Sequence, residues 1–457
     1  MIFCLYLFDC QSVIMPALFP PSAQKSTTHK SQNLHKEIYR SALKQIIMTK
    51  QEAAIKYITE NYLDYNRLRH DVIADKLQVR MENGWREMTK HDINSIVCHA
   101  AQEYDANITS REVMTALQSD LIPDVHPLRE YVLSCREWTE EQPDWIDWVA
   151  QQVTVKPLSD EAKGDKARGE GLWRGCFKKW FVAMVASWMK DEVVNHQVLV
   201  LIGKQGIFKT TWLEHLIPPH LRAYACKLAN SNDLNKDERL RIAEFGLISL
   251  DEIDSMNNRE LNQLKSVITA TDVNERAAYA YTKERRVRLA SFCASGNRRD
   301  FLTDITGNRR WLPFEVESIQ NPFYTLLPYE RMYAQAWALA QDPLFSYWFD
   351  LDEIEVLEEH NQHFRDESNE EQLLDVYFAV PAEGASNTKF LTTAEISERL
   401  IYYGNIKRPL SLSRLGVLLS QKGFLSIRKG SPQRRGWIVY ERDNEEINAE
   451  RRILSKT

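Results

Sequence analysis

The sequence lacks a disulfide framework and a zinc-ribbon pattern. Its seven cysteines are odd in number, and no two of them form a Cys-x-x-Cys pair. They are scattered along the chain at Cys4, Cys10, Cys98, Cys135, Cys176, Cys226 and Cys293. Isolated cysteines of this kind are typical of a protein in a reducing compartment.

The chain also lacks a surplus of positive charge and an apolar run of transmembrane length. Its 457 residues carry a formal net charge of −6 at pH 7, so any polyanion must bind to local basic patches. The apolar start MIFCLYLF has no basic region before it and is interrupted at Asp9, which fits a signal peptide poorly. We expect residues 1–48 to be a disordered leader or an over-called start, with Met15 or Met48 as the true first residue. We expect a cytoplasmic protein without membrane contact.

What is present is the composition of an ordinary globular protein, with 44% apolar and 27% charged residues, and a length sufficient for two or three domains. Residues 49–135 have helical apolar spacing, interrupted by an Asn-Gly hairpin signal at Glu82-Asn83-Gly84. This part predicts a small, mainly helical domain with a β-hairpin.

Residues 136–345 alternate strand-like and helix-like segments. The strand-like segments are HQVLVLIG, RAYACKL, FGLISLDEID, VRLASFCASGN and RRWLPFEVESI. Alternation of this kind predicts an α/β domain with a parallel sheet between helices. The almost wholly apolar segment KKWFVAMVASWMK predicts a helix buried against that sheet.

The C-terminal part predicts an acidic linker helix at 346–371, a domain at 372–445 and a tail at 446–457. The domain has the order helix, helix, hairpin, which is that of a winged helix. Its hairpin carries a local positive cluster made of Arg428, Lys429, Arg434 and Arg435. In the preceding helix, His360 and His363 lack further ligands nearby, so we expect a solvated helix there rather than a metal site.

Residues 198–218, VLVLIGKQGIFKTTWLEHLIP, come close to the phosphate-loop formula Gly-x-x-x-x-Gly-Lys-Ser/Thr. Such a loop holds phosphate on backbone N–H groups, with Lys209 on the terminal phosphates and Thr210 on Mg²⁺. The glycine expected before the lysine is Phe208, and a strand–helix turn with a chance lysine is the alternative. The predicted nucleotide-binding residues are Gly203, Lys204, Gln205, Gly206, Ile207, Phe208, Lys209, Thr210 and Thr211.

Two further strand ends carry residues that suit nucleotide hydrolysis. After the strand GLISL, Asp251 would hold Mg²⁺ through water and Glu252 would orient the attacking water, with strand alternation pointing their side chains to opposite sides. A solvated acidic turn is the alternative. After the strand SFCASG, Asn297 can place an amide beside the γ-phosphate.

Basic residues supply two other candidate sites. Arg309 or Arg310 could reach the γ-phosphate of a neighbouring subunit as an arginine finger, whereas Arg298 and Arg299 are expected to pair with acids or to bind DNA phosphate. Between the motifs, basic residues alternate with aromatic ones in a pattern that suits single-stranded nucleic acid as well as a solvated hairpin face. These residues are Lys265, Arg276, Tyr279, Tyr281, Lys283, Arg285, Arg286 and Arg288.

Together, LIGKQGIFKTTWLEHLIP, ISLDEID, LKSVIT…NERAAY and FLTDITGNRRWLPFEV resemble the virulence-associated protein E family over roughly residues 136–345. The resemblance implies a P-loop ATPase of the primase–helicase type, similar to superfamily 3 helicases. It implies Walker A roles for Lys209 and Thr210, Walker B roles for Asp251 and Glu252, a sensor role for Asn297 and a finger role for Arg309 or Arg310. The C-terminal part resembles the small winged-helix-like domain appended to Bacteroides members.

These observations predict an ATP- and Mg²⁺-dependent DNA motor in mobile-element or phage-type replication, working as a homo-oligomeric ring on single-stranded or forked DNA. Since no zinc module or second acidic cluster is found, a primase would be a separate partner. The alternative is a nucleotide-gated regulator that binds DNA or protein with little hydrolysis. We expect the Phe208 side chain to point into the apolar layer beneath the loop, and Phe208→Gly to leave nucleotide binding intact or to strengthen it.

Overall fold

The structure is a computed structural model that describes residues 48–454, with gaps at 83, 105–106, 158–162, 229–240, 276–283, 303–307, 366–368, 383–387, 405–410 and 431–432. The chain divides into two compact units, Met1–Val125 and His126–Thr457. None of the helices in the described ranges has the length and apolar character that a bilayer crossing needs.

From residue 48 onward, where the structure describes it, the first unit combines three α-helices with a small sheet. Its elements are α1 (Lys50–Ile58), β1 (Leu68–Asp71), β2 (Lys76–Met81), β3 (Gly84–Glu87), α2 (Lys90–Glu103), α3 (Ser110–Leu117) and β4 (Asp124–Val125). Each helix begins at a threonine whose side chain and a carboxylate three residues later form a capping box. Strands β2 and β3 pair antiparallel, which confirms the predicted hairpin. Strands β1 and β4 complete the order β3-β2-β1-β4 and were not expected.

The second unit begins with the α/β part of the chain. Its elements are α4 (Pro127–Ser134), α5 (Trp145–Ala150), β5 (Val153–Val155), α6 (Lys163–Met189), β6 (Val198–Ile202), α7 (Lys209–His215), β7 (Ala225–Leu228), α8 (Arg241–Glu244), β8 (Leu247–Leu250), α9 (Asn258–Thr269), β9 (Asp272–Glu275), β10 (Glu284–Val287), β11 (Ser291–Gly296), β12 (Trp311–Ile319), α10 (Tyr329–Gln341) and α11 (Leu351–Gln362).

The main sheet has the strand order β5-β12-β6-β11-β8-β7. Strands β12, β6, β11, β8 and β7 are parallel, as predicted from the alternation of strand-like and helix-like segments. Every residue of β6, β8 and β11 is buried. Strand β5 adds an antiparallel edge to β12, which the sequence pattern did not predict.

Helix α6 is buried against the sheet, as its apolar sequence predicts. Its indole N–H groups are satisfied by strand and loop carbonyls, since Trp180 Nε1 donates to Phe292 O and Trp188 Nε1 donates to Gly246 O, both at 3.1 Å. Buried tryptophans that keep their hydrogen bonds fix this helix on one face of the sheet.

The acidic helix α11 also packs on the sheet, so the expected linker at 346–371 and the expected solvation of His360 need correction, whereas His363 is exposed as expected. His360 is 5% exposed and its Nε2 lies 2.6 Å from Pro313 O. Asn361 Nδ2 donates to Asn308 O and Trp311 O. Burial lowers the pKa of His360 to about 4, so its ring is neutral in the core. No cluster of metal-binding type was found among the residues that the structure describes.

The chain ends in a helical and β part with its own core. Its elements are α12 (Asn369–Tyr377), β13 (Phe378–Ala379), β14 (Thr388–Leu391), α13 (Thr393–Gly404), α14 (Leu412–Gln421), β15 (Leu425–Lys429), β16 (Arg434–Glu441) and α15 (Asn444–Leu454). The predicted order of two helices and a hairpin is observed in α13, α14 and the antiparallel pair β15–β16. Strand β16 also pairs with β13 and β14, which were not predicted.

Candidate functional site

The predicted site residues come from three strand ends that the sheet places side by side. In the parallel register Gly296 lies opposite Ile202 and Ala294 lies opposite Leu250. The chain segments that follow β6, β8 and β11 therefore leave the sheet at the same edge. Three groups meet at this edge: the loop that begins at Gly203, the carboxylates that follow Leu250, and the amide of Asn297.

The loop between β6 and α7 is shaped by close backbone contacts. The Gly203 N–H donates to Gly296 O at 3.1 Å, and a Cβ at Gly203 would lie 2.8 Å from Val316 O, so this position has no room for a side chain. Gly206 has φ of 86°, in the region that favours glycine. The loop residues Lys204, Gln205 and Gly206 are exposed, and Ile207 is half-buried.

Lys209 opens α7 and turns its ammonium back into this loop. Its Nζ lies 2.7 Å from both Gly203 O and Lys204 O, and 3.3 Å from Asn297 Oδ1. The residue is 7% exposed. Burial lowers the pKa of Lys209, and the nearby Asp254 and Asp251 carboxylates oppose that effect. A buried cation is thus held where the loop, a carboxyl group and an amide converge.

Asp251 lies at the centre of a hydrogen-bond network with the next residue of α7. Its Oδ1 accepts from Thr210 Oγ1 at 3.2 Å and from Ser295 Oγ at 2.7 Å, and these two hydroxyls lie 2.9 Å apart. Its Oδ2 lies 2.8 Å from Lys227 Nζ. Burial raises the pKa of Asp251, but the Lys227 ion pair and the Ser295 hydrogen bond more than offset this and keep the carboxyl ionised. Ionised carboxylate and hydroxyl oxygens are the donors that Mg²⁺ prefers, so Thr210 and Asp251 fit this ion.

Glu252 does not lie on the strand, because β8 ends at Leu250. Its backbone is left-handed, with φ of 53° and ψ of 47°, and its side chain is exposed. The expected separation of Asp251 and Glu252 by strand alternation is therefore wrong, and a strained turn aims the second carboxylate instead. Backbone strain of this kind costs roughly 1–2 kcal/mol in a non-glycine residue and is concentrated at functional sites.

Sequence reasoning missed three polar residues at this edge. Ser295 could have been found, since it is a polar residue within the mostly apolar strand that leads to Asn297. Asp254 accepts the backbone N–H groups of Asn297 and Arg298, at 3.1 and 3.2 Å, and so fixes the end of β11. Nothing in the sequence around Lys227 predicts its contact with Asp251, because that contact depends on which strand lies beside β8.

Phe208 does not point into the apolar layer beneath the loop, so that expectation is wrong. It has a left-handed backbone, with φ of 69° and ψ of 16°, which is why glycine is the residue expected there. Its ring is half-buried and meets the ring of Phe323 edge to face, with centroids 6.4 Å apart and an interplanar angle of 79°. The side chain thus lies on the flank of the loop.

We expect Phe208→Gly to raise the free energy of unfolding by about 1 kcal/mol, because glycine adopts a left-handed backbone without the steric cost that phenylalanine has. Binding of inorganic tripolyphosphate to the loop, which involves no base, should stay intact or strengthen. Chemical denaturation and calorimetric titration measure the two effects. Phe208→Ala is the control, since alanine removes the ring and keeps the backbone strain. Equal stability of the glycine and alanine variants would contradict the strain.

Comparison with known protein families gives a match to this part of the chain. A family model described as the virulence-associated protein E-like domain matches residues 162–372. These residues are a virulence-associated protein E-like domain. The domain contains the loop, Lys209, Thr210, Asp251, Glu252 and Asn297. No curated protein matches the chain.

Solved structures of the NrS-1 C-terminal region are similar to the chain at 11% sequence identity. An apo structure covers 83% of this chain and 97% of its own, with a TM-score of 0.43. An apo structure described as the A form covers 81% and 96%, with a TM-score of 0.41. A third, also an A form, covers 83% and 98%, with a TM-score of 0.42.

Arg309 and Arg310 lie in the virulence-associated protein E-like domain, but far from its loop. They form a short 3-10 helix with Asn308 just before β12, and Trp311 lies opposite Val198, the first residue of β6. Strand β6 has 5 residues, so the arginines are ~16 Å or more from its carboxyl end. Both line a cavity of about 300 Å³ at the amino edge of the sheet.

Arg298 and Arg299 pair with acids, as the sequence predicts, whereas Arg288 does not fit its prediction. Arg298 pairs with Asp300 at 2.9 Å, and Arg299 pairs with Glu315 at 3.0 Å. Arg288 is wholly buried and donates to main-chain carbonyls at the end of α9, among them Ile268 O and Ala270 O. Its role is structural, so it leaves the set of nucleic-acid candidates.

The nucleic-acid candidates are only partly within the described residues. Lys265 is half-buried on α9, which leads into the antiparallel hairpin β9–β10. Four of the aromatic and basic candidates, namely Arg276, Tyr279, Tyr281 and Lys283, fall outside the described residues, as does the side chain of Arg285.

The basic cluster in the C-terminal part lies on β15–β16. Arg428 is opposite Arg435 and Lys429 is opposite Arg434, and all four are exposed. Like charges directly opposite each other destabilise a hairpin, so this arrangement concentrates positive charge on one surface at some expense in stability.

Proposed function

We propose that this protein is an ATP-hydrolysing, DNA-dependent motor that acts in mobile-element or phage-type DNA replication. The observation that carries this proposal is the contact set of Lys209 and Asp251. At one edge of a parallel sheet, a buried loop lysine contacts Gly203 O and Asn297 Oδ1, and the threonine that follows it donates to an ionised carboxylate. This is the residue set that a phosphate loop uses on a nucleoside triphosphate and its metal.

The strand order supports a P-loop core for the domain. Strand β6, which precedes the loop, lies between β12 and β11, and the carboxylates follow β8 on the far side of β11. Ligands of open parallel sheets bind outside the carboxyl ends of the strands. The proposed nucleotide lies at this edge.

In the proposed mechanism, the loop N–H groups and Lys209 hold the phosphates. Thr210 and Asp251 would hold Mg²⁺, which neutralises charge that develops on the phosphate oxygens. Glu252 orients the attacking water, and its strained turn fixes the carboxylate for that task. Asn297, already 3.3 Å from Lys209 Nζ, contacts the terminal phosphate.

The DNA partner is proposed from charge. The protein is acidic overall, so an anionic strand requires local basic surfaces. The hairpin β15–β16 supplies one, in what we propose to be a winged-helix domain with α13 and α14. The hairpin β9–β10 follows α9 directly and is the proposed route from DNA to the nucleotide edge.

We expect ATP hydrolysis by the purified full chain to rise severalfold on addition of single-stranded DNA, and phosphate release measures this. The rise should fall steeply with salt, because phosphate contacts release counterions. Slow hydrolysis that ignores DNA, together with nucleotide-dependent assembly, would instead select a nucleotide-gated regulator. The strain at Phe208, in the loop itself, is the observation that favours that second function.

A further inference from the structure

A group of aromatic rings adjoins the phosphate loop at Phe208, the residue before Lys209. The ring of Phe323 lies 6.4 Å from that of Phe208 and 5.5 Å from that of His215, at interplanar angles of 79° and 84°. Phe323 is nevertheless 64% exposed. An exposed apolar surface beside a binding loop is a candidate ligand-binding surface.

The segment that carries Phe323 is fixed rather than loose. Phe323 N donates to Asn321 Oδ1 at 3.0 Å, which shapes the turn after β12. Helix α10 is then fastened to the end of α7, since Tyr329 Oη donates to His215 O at 2.7 Å and Tyr333 Oη donates to Leu216 O at 3.0 Å. The ring of Phe323 is therefore held beside α7.

Phe208 links the aromatic group to the phosphate site, because it belongs to both. It is the residue immediately before Lys209, and its left-handed backbone turns the ring toward Phe323 instead of the core. A glycine would relieve the strain at this position but could not support the neighbouring ring. The strained residue thus builds the aromatic surface at the point where the phosphate loop ends.

We propose that Phe323, supported by Phe208, is the platform on which the base of the bound nucleotide stacks. This rests on the proposed function, because it assumes that the loop holds the phosphates of the same nucleotide. Stacking on an aromatic ring tolerates any base, since every base has a π-face. The ligand class is a nucleoside triphosphate with little preference between ATP and GTP.

The test compares two ligands that differ in the base. Calorimetric titration of the full chain with ATP and with inorganic tripolyphosphate, both with Mg²⁺, measures the contribution of base and ribose together. We expect Phe323→Ala to weaken ATP binding about tenfold and to leave tripolyphosphate binding unchanged. Phe323→Trp should restore ATP binding. Leu344→Ala, at a residue 93% exposed in the same unit, is the matched control and should change neither.

The outcomes separate this proposal from the proposed function. If Phe323→Ala binds ATP as the wild type does, or loses tripolyphosphate binding to the same degree, the platform is refuted while the phosphate site stands. If the wild type binds neither ligand, both proposals fail. Because Phe323 is mostly exposed, its replacement should leave the fold intact, and circular dichroism checks this.

Discussion

Lys209→Ala is expected to lower ATP hydrolysis by roughly 100-fold or more, the loss that follows removal of one preorganised electrostatic group from an active site. The ammonium contacts Gly203 O, Lys204 O and Asn297 Oδ1 inside the loop, so its removal takes the positive charge away from the proposed phosphate position. Nucleotide affinity should fall as well, since the same charge faces the bound phosphates. Steady-state phosphate release and calorimetric titration measure the two losses.

Lys204→Ala is the matched control for this experiment. It removes an exposed lysine side chain from the same loop and keeps the backbone, which is the part of Lys204 that the proposed site uses and that contacts Lys209 through its carbonyl. Its hydrolysis should stay within about twofold of the wild type, because an exposed charge is well screened. Lys209→Met, which keeps most of the apolar stem, separates a loss of charge from a loss of packing. Wild-type rates in both Lys209 variants would rule out the proposed site.

The parallel sheet could be predicted from the sequence because each central strand is an unbroken apolar run. Strands such as VLVLI and LISL have no polar alternation, which is the pattern of strands buried on both faces. The meeting of Lys209, Asp251 and Asn297 followed from the same prediction, because carboxyl ends of parallel strands share an edge. The hairpin β2–β3 was predictable from its Asn-Gly turn.

Other features depend on three-dimensional neighbours that the sequence does not encode locally. Lys227 pairs with Asp251 only because β7 lies beside β8. Strand β5 is 3 residues long and pairs with a strand more than 150 positions away along the chain. The acidic sequence around His360 predicts a solvated helix. In the structure α11 packs on the sheet, and His360 contacts Pro313 O in the core. The direction of the Phe208 ring was set by backbone strain and by Phe323.

The separation of Arg309 and Arg310 from the loop leads to the second large expected effect. Since they lie at the opposite edge of the sheet, neither can contact a phosphate bound in its own chain, and a finger role requires a neighbouring subunit. We expect the double variant Arg309→Ala/Arg310→Ala to lose about 10³-fold in hydrolysis, the usual contribution of an arginine finger. The ATP affinity of the double variant should match that of the wild type when both are titrated at a protein concentration at which the subunits are dissociated.

Mixing two inactive variants tests the shared site directly. A subunit with Lys209→Ala still offers its arginines, and a subunit with the arginine double variant still binds ATP. Mixed assemblies therefore contain some complete sites, and hydrolysis should reappear at a level that depends on the ratio of the two proteins. Arg298→Ala, which breaks the surface pair with Asp300, is the control and should need no rescue. Co-assembly of the two variants meets every requirement for a complete site. If the co-assembled mixture nevertheless stays as inactive as its components, the arginines do not act across subunits.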